Sequence, residues 1–481
     1  MFKQTLRSKG IACLIALGLL KGIGFAEENK LKLELVREIR LKEKLEDVRV
    51  MTSEEEVKKA RKMAGLSSDE PIFPVKAIRT EEGIKFFDAK GRVEREIKGI
   101  GLLSENGEYF FIGNEVRNRN NTVVWKNKEL KGEILAISNN GRVITTNYRF
   151  YSPEGIGGFW LDGLYLYDSK GNLIKEIDVE LHALGFRTLN NTIQFSSDGS
   201  IFACWENGNL NVFSSKGNRI FRYSLEDKHV CRFDKLRVSP DGRYIVVSTH
   251  MGGTTTIYPK GYWEKIEEIK KMAKEKVHKM VILEKIKITK TSDYIKKREE
   301  EENKILKEMG LLPKEVYNGP YRGVIFFFTK EGNLLGSYNV VPGEKAIAFS
   351  PEGDYVGVGD YEEYDYNVYL FETQKGTLLW KYHSKEGIGL CPDSISISSG
   401  GKYICVGLVP SPGKKYEKFP LNRYIYLFDP SSKLLIKKDA QASYPKYRGG
   451  FDITIDPDGN QIFGMTDETL LLFKITGGDA K

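Results

Sequence analysis

Cysteine is scarce in this chain: there are five among 481 residues, and one of them, Cys13, lies in an amino-terminal apolar run. The other four, Cys204, Cys231, Cys391 and Cys405, are scattered, with no Cys-x-x-Cys pair, so neither a disulfide framework nor a zinc knuckle is written into the sequence. Cys204 and Cys405 have apolar neighbours on both sides, where a thiol serves as a small buried hydrophobe. Histidine is as rare, with five copies. The chain has no His-Glu-x-x-His, no Gly-x-Ser-x-Gly elbow and no phosphate-cradling glycine loop. No catalytic residue, metal ligand or cofactor site is assigned on this basis. Blocks of one charge sign are also missing. The net charge of +8 comes from lysines spread along the whole chain, which gives no footprint for a nucleic-acid partner. Apart from residues 11–20 there is no apolar run of any length, and that one falls short of the roughly 20 residues needed to span a bilayer.

What the amino terminus does have is the layout of a secretory leader. Lys3, Arg7 and Lys9 precede the apolar run, and Gly24-Phe25-Ala26 then sets small residues at the −3 and −1 positions of a cleavage site. Residues 1–26 are therefore expected to be a signal peptide. The mature protein is expected to be secreted or periplasmic, with no stable membrane insertion after cleavage.

The body of the chain repeats. An apolar strand, Ser or Asp, two residues, Gly and a second apolar strand recur seven times. The copies are Ser104-Glu-Asn-Gly107, Ser138-Asn-Asn-Gly141, Ser196-Ser-Asp-Gly199, Ser239-Pro-Asp-Gly242, Ser350-Pro-Glu-Gly353, Ser398-Ser-Gly-Gly401 and Asp456-Pro-Asp-Gly459. Pro presets the first corner, Asp or Asn tolerates the next, and Gly takes the positive φ that closes a tight hairpin. A second pattern alternates with it: an aromatic residue with Asp, Ser or Thr, then a Lys-Gly or Glu-Gly turn, as in Leu166-Tyr-Asp-Ser-Lys-Gly171 and Val212-Phe-Ser-Ser-Lys-Gly217. Together the two patterns mark four short antiparallel strands, a to d, per repeat. Such units bury their faces only by stacking on one another, and that is how propeller blades are built. The predicted fold is all-β, a seven-bladed β-propeller of four-stranded antiparallel blades over residues 73–481.

Particular phrases carry a family resemblance. Phe195-Ser-Ser-Asp-Gly199 and Val238-Ser-Pro-Asp-Gly-Arg-Tyr-Ile-Val246 look like the strand-turn-strand of WD40-like repeats, and Glu372-Thr-Gln-Lys-Gly376-Thr-Leu-Leu-Trp380 looks like a PQQ-type repeat. The chain thus resembles the WD40-like and quinoprotein-like (PQQ-repeat, YVTN-like) β-propeller superfamily over about residues 74–476. The Gly-His and Trp-Asp signatures of true WD40 repeats are missing. The resemblance implies a fold and no activity. At the carboxyl end, residues 469–475 supply a strand c with no strand d after it. Residues 84–97, ahead of the first Ser-x-x-Gly pair, are expected to donate the missing strand. Residues 27–72 read as a charged extension apart from the ring, with a capping box at Ser53-Glu-Glu-Glu56 that opens a short helix ending at Gly65.

In a blade of this kind the a–b and c–d turns lie at one end and the b–c and d–a connections at the other. Nearly all the former are short. The long insertions, 148–163, 251–322, 360–367 and 408–423, fall between b and c, which marks that end as the elaborated face. The largest insertion, 258–315, is predicted helical, since Trp263, Ile266, Ile269, Ala273, Val277 and Met280 recur every three or four residues. After a break near 289–292 a second helix runs to Gly310. The pair is expected either to pack on itself or the propeller, or to form an arm that docks a partner. Candidate partner-binding residues on this face are Tyr148, Phe150, Phe159, Trp160, Tyr361, Tyr364 and Tyr366 in the loops, Trp263 and Ile266 on the insertion, and His182, His229 and His383 in d–a connections. Amphipathic aromatics are common contact anchors, although the same residues serve equally well to hold their own loops. The function these features imply is an exported noncatalytic propeller that binds a protein or peptide partner. The alternatives are a quinone- or metal-dependent enzyme at the channel mouth and a structural component of the cell envelope.

Overall fold

The structure, a computed structural model, describes residues 31–477 apart from 41–43, 52–53, 68–69, 71, 100, 152–157, 184–191, 207, 226–229, 253, 258–261, 284–290, 318–321, 342–345, 363–364, 385–389, 411–422, 441–450 and 467–468. Among the described residues there are eight four-stranded antiparallel sheets and one two-stranded ribbon. The blade count from sequence is therefore corrected from seven to eight.

Blade 1 consists of Leu45–Val50, Val75–Thr80, Gly83–Phe87 and Val93–Lys98. Residues 84–97 are thus the c and d strands of a blade of their own, not a spare strand for the last one. Blade 2 runs from Gly101–Leu103 to Val123–Lys126, blade 3 from Glu133–Ile137 to Leu173–Ala183, and blade 4 from Ile193–Phe195 to Arg219–Ser224. Blade 5 takes Val230–Val238 and Tyr244–Met251, then Arg322–Thr329 and Leu334–Val340 after the long insertion. Blades 6 and 7 begin at Ala346–Phe349 and Leu390–Ile397 and end at Thr377–His383 and Leu434–Asp439. Blade 8 is composite. Asp452–Ile455, Gln461–Met465 and Thr469–Thr476 are its first three strands, and its outer strand is Lys32–Arg40 from the amino terminus, paired antiparallel from Lys32 opposite Thr476 to Arg40 opposite Thr469.

Eight apolar layers close the circle, each shared by two neighbouring blades. Blades 1 and 2 share Ala77, Ile84, Phe86, Leu103 and Phe110. Blades 4 and 5 share Leu210, Val212, Leu236, Val247 and Phe326, and blades 7 and 8 share Leu427, Ile453, Leu471 and Leu33 of the amino-terminal strand. The last layer, with Val75, Ile78, Phe87, Phe463 and Leu472, joins blade 8 back to blade 1. The segment 27–72, expected to stand apart, thus contributes two strands to the ring.

The seven Ser/Asp-x-x-Gly turns are built alike. In each, the leading side chain accepts a backbone N–H four or five residues on, at or just before the start of strand b: Ser104 from Tyr109 at 3.0 Å, Ser138 from Arg142 at 3.0 Å, Ser239 from Tyr244 at 2.9 Å, Ser398 from Tyr403 at 2.9 Å and Asp456 from Gln461 at 2.8 Å. The glycines do more than turn the chain. Gly199 has φ 67°, and a Cβ there would lie 2.7 Å from Asn140 Nδ2 of the preceding blade. At Gly459, φ 72°, the clash would be with Tyr403 at 2.7 Å. Backbone bonds run from turn to turn as well, from Asp198 N–H to Pro240 O at 3.3 Å and from Ser399 N–H to Pro457 O at 3.0 Å. Blade 1 is the exception. Its a–b connection, residues 51–74, holds helix α1 (Glu54–Ala64) in place of the short turn. The helix ends at Gly65, φ 62°, and is seated by Val57 on Met51 and Ile72. Lys76 pairs with Glu56 at 2.9 Å and with Glu108 at 2.8 Å.

Asp456 occupies the position that serine fills in the other six turns. Burial pushes its carboxyl up to about 6, against the N–H bonds from Gln461 and Asn460; Asp458 adds to the rise and Arg61 of α1 opposes it. A folded-state pKa above the unfolded value means the native state prefers the proton. The stabilisation from that proton is complete below about pH 4 and is lost as pH rises through about 6. At two pKa units the difference is at most about 3 kcal/mol. Asp456→Ser is expected to raise the denaturant midpoint at pH 7.5 and to give no such gain at pH 4.5. Equal effects at both pH values would refute the burial argument.

Candidate partner-binding face

The b–c connections of blades 3, 5 and 6 leave the ring at one end, and each is lengthened differently. In blade 2 the b and c strands are four residues each, Tyr109–Ile112 and Glu115–Asn118. In blade 3 they are Val143–Tyr151 and Gly158–Tyr167, and strand d, Leu173–Ala183, follows them outward. The ladder continues to Tyr151 opposite Gly158, with Tyr148 opposite Leu161 and Phe150 opposite Phe159. Trp160 is paired with Arg149 on one side and His182 on the other. Residues read from sequence as loop anchors therefore lie on a prolonged sheet, as the β preference of aromatic residues favours, and His182 is on strand d, not in a d–a connection. The register brings Phe150, Phe159, Trp160 and His182 into one small area of backbone.

Blade 5 carries the largest extension. Beyond Met251 and Arg322 the chain forms a short ribbon, Thr254–Ile257 against Lys314–Tyr317, and then two helices, α2 (Tyr262–Ile282) and α3 (Thr291–Glu308). The apolar stripe of α2 is spent within the pair: Ile266 and Ile269 pack with Leu306 and Leu311, and Ala273 and Val277 are also fully buried, whereas Ile295 of α3 stays exposed. Lys276 bridges to Glu301 at 2.7 Å. The outward face of α2 presents Lys265, Glu268, Lys271, Lys274 and Lys279. Ile266, proposed from sequence as a contact residue, is part of this internal seam and is corrected to a structural role. Trp263 lies in the first turn of α2.

In blade 6, Tyr355–Glu362 and Asp365–Glu372 pair as far as Glu362 opposite Asp365. Tyr366 is 1% exposed and packs among Tyr382 and Tyr426, so it too is corrected from contact residue to core, and burial drives its phenol well above the ordinary range. Tyr361 is half-buried against the same cluster. His383 is the last residue of strand d, and its Nδ1 lies 2.9 Å from Asn367 Oδ1. Asn367 in turn donates to the buried carboxylate of Asp360 at 2.6 Å, which also accepts from Tyr369 at 3.0 Å and from the Val341 N–H at 2.9 Å. The His383 ring is thereby tied into the polar network that holds this hairpin. Tyr364 and His229 lie outside the described residues. His182 and His383 sit on separate blades, 3 and 6.

Two features escaped the sequence. His250 and Asp234 form a buried pair at the root of the arm, Nε2 to Oδ2 at 2.7 Å with each side chain 2% exposed. A lone polar His in the strand Tyr244–Met251, otherwise apolar or small, was its available signal. Arginines lining the axial channel are the other. Their signal needs knowledge of which strand of each repeat lies innermost. Opposite the inserts, α1 borders a cavity of about 640 Å³ with Met51, Met63, Phe87 and Arg119 in its walls, so the turn end is plain except at blade 1. No group of three His, Cys, Asp or Glu placed to hold a metal, and no helix long and apolar enough to cross a membrane, occurs among the described residues.

No family model matches the chain, and no curated protein matches it. Among solved structures, the C-terminal WD40 domain of Sif2 is similar at 9% identity and a TM-score of 0.47, covering 94% of this chain and 99% of that one. The Dos1 propeller is similar at 9% identity and a TM-score of 0.41, covering 92% and 95%. The fold is a β-propeller of four-stranded antiparallel blades, as the order of strands in its sheets shows.

The assignments of Tyr366 and Tyr361 separate in a stability measurement. Tyr366→Ala is expected to cost about 3–5 kcal/mol, the range for a fully buried aromatic, and Tyr361→Ala about 1 kcal/mol or less. A Tyr366→Ala protein with an unchanged denaturant midpoint would contradict the core assignment.

Proposed function

We propose that the protein is an exported, noncatalytic propeller that holds a protein or peptide partner at the end where its b–c connections are extended, with the helical pair as the principal arm. The observation that carries this reading is the common direction of the extensions in blades 3, 5 and 6. A ring of stacked blades is a rigid platform, and contact residues collect on the segments such a platform displays. The seven short turns at the other end are occupied in binding one another. Because α2 spends its apolar stripe within the pair, its outward face would meet the partner through charged and polar groups, giving an interaction that weakens as salt rises. The export half of the proposal rests on the leader-like residues 1–26, which lie outside the described residues.

The test is to install a photo-crosslinking residue in the native host, at Lys265 or Lys274 on the arm and at Lys402 on the opposite end. Replacement of residues 258–313 by a short glycine linker is the companion variant. One and the same adduct from both arm positions and from the same residue installed at Tyr361, absent at Lys402, with the Tyr361 adduct lost in the linker variant while the ring keeps its melting temperature, is the expected result. Adducts from Lys402 alone, or a linker variant with an unchanged crosslinking pattern at Tyr361, would overturn the assignment of the face.

A further inference from the structure

The turn of blade 8, the blade that closes the ring, departs from the other six Ser-x-x-Gly turns at two positions at once. In those six the first residue is serine, and the residue five places on is apolar or aromatic: Tyr109, Val143, Ile201, Tyr244, Tyr355 and Tyr403. In blade 8 the two residues are Asp456 and Gln461. The register that pairs Ile455 with Ile462, continued by one step, sets them opposite each other across the hairpin, and the Asp456 N–H donates to Gln461 O at 3.0 Å. Residues so placed share a face, with Cβ atoms about 5 Å apart.

A serine hydroxyl serves its turn twice. It accepts an N–H and it also donates, from Ser104 to Asn106 Oδ1 at 2.7 Å, from Ser196 to Asp198 Oδ1 at 2.5 Å and from Ser239 to Asp241 Oδ1 at 2.7 Å. An ionised aspartate can only accept. Asp456 Oδ1 takes the N–H groups of Asn460 and Gln461, at 2.7 and 2.8 Å. Its Oδ2 is buried with no hydrogen-bond partner, and so is Gln461 Oε1. Two buried acceptors on one face without a donor are costly. A proton on Oδ2 removes both faults, because it neutralises the carboxylate and gives an O–H for Oε1 to accept.

The surroundings favour that proton. Burial holds the carboxyl up at about 6 and Asp458 adds to the rise, while the two N–H bonds and Arg61 of α1 act the other way. Of the lysines beside the turn, Lys402 lies over the Tyr403 ring at 5.0 Å, and Lys474, opposite Gln461 on strand c, also stands opposite Glu34. The same turn joins blade 8 to blade 7, through Ser399 N–H to Pro457 O at 3.0 Å and through Gly459 against Tyr403.

We propose that Asp456 and Gln461 form a proton-binding site in the closing blade, in which the proton on Asp456 Oδ2 joins two facing oxygens and its release to water as pH rises loosens the turn. The ring is then held most tightly at its closure in mildly acidic surroundings. The site is independent of the arm and of the partner proposed for it.

Hydrogen exchange of the full chain at pH 4.5 and pH 7.5, with rates corrected for the intrinsic effect of pH, tests this at the Asn460 and Gln461 amides against the Tyr244 amide of the blade 5 turn. In the wild type the protection of Asn460 and Gln461 relative to Tyr244 is expected to fall at least tenfold between the lower and the higher pH. Asp456→Ser and Asp456→Asn, uncharged at both, are expected to hold it constant. Difference infrared spectra are expected to show a protonated carboxyl band at pH 4.5 that fades by pH 7.5 more strongly in the wild type than in Asp456→Asn. Constant protection in the wild type, which a Gln461 amide turned over to donate to an ionised Asp456 would give, overturns the proposal. So does an equal fall in a folded Asp456→Ser or Asp456→Asn protein, or an infrared difference that Asp456→Asn leaves unchanged.

Discussion

The pairing of Lys32–Arg40 with Thr469–Thr476 is the constraint on which this molecule depends. A blade of four strands has two apolar faces and buries them only between two neighbours, so an open stack leaves a face exposed at each end. The chain removes both ends by lending its first strand to its last blade. Leu33 of that strand enters the layer between blades 7 and 8, and Arg37 reaches across to the carbonyl oxygens of Lys90 and Gly91 on blade 1. Blade 8 therefore forms only when residues nearly the whole chain apart come together. The cost is a long loop closure, which grows only slowly with length, and it is offset by one shared apolar layer and eight paired residues.

Closure also sorts the connections. Among the described residues the a–b and c–d turns lie at one end and the b–c and d–a connections at the other. Seven serine or aspartate turns bind each other at the first end, and chain length added there has to displace one of them. That happens once, where α1 replaces the turn of blade 1, and the displaced contacts return as the Lys76 ion pairs with Glu56 and Glu108. Among the described residues the other end carries no such interlocking ring, and insertions of different kinds accumulate there: a prolonged sheet on blade 3, a ribbon and two helices on blade 5, a longer hairpin on blade 6. The uneven distribution of elaboration follows from which end the ring uses for its own cohesion.

Much of this was legible in the sequence. The seven Ser/Asp-x-x-Gly turns are real, and the helices of the insertion follow the spacing of Ile266, Ile269, Ala273 and Val277, ending near Gly310 as read. Blade 1, the one beyond the seven read, was missed for a physical reason. Its a–b turn is the one replaced by a helix, so the repeat signal is interrupted where it is needed. Its inner strand Leu45–Val50 and the closing strand Lys32–Arg40 also carry so much charge on their exposed positions that they read as a solvated extension. The candidate site was less legible, because spacing does not say which aromatic residues face inward. Tyr366 and Tyr361 stand directly opposite each other across a tight hairpin and share a face, and only the packing of blade 7 shows that Tyr366 is the one fully buried between blades 6 and 7. Ile266 was counted both as helix-stripe and as contact residue, and the stripe claimed it. The channel arginines lie at ordinary strand positions, and only the ring brings Arg49, Arg79 and Arg237 from two distant blades to one cavity.

Amide hydrogen exchange of the full chain tests closure most directly. If Lys32–Arg40 is the outer strand of blade 8, its inward-paired amides exchange as slowly as those of Thr469–Thr476, and both segments open together as denaturant is raised. Free-chain exchange across 32–40, with 469–476 and the remaining blades still protected, would show that the ring closes without its amino-terminal strand and would contradict the account.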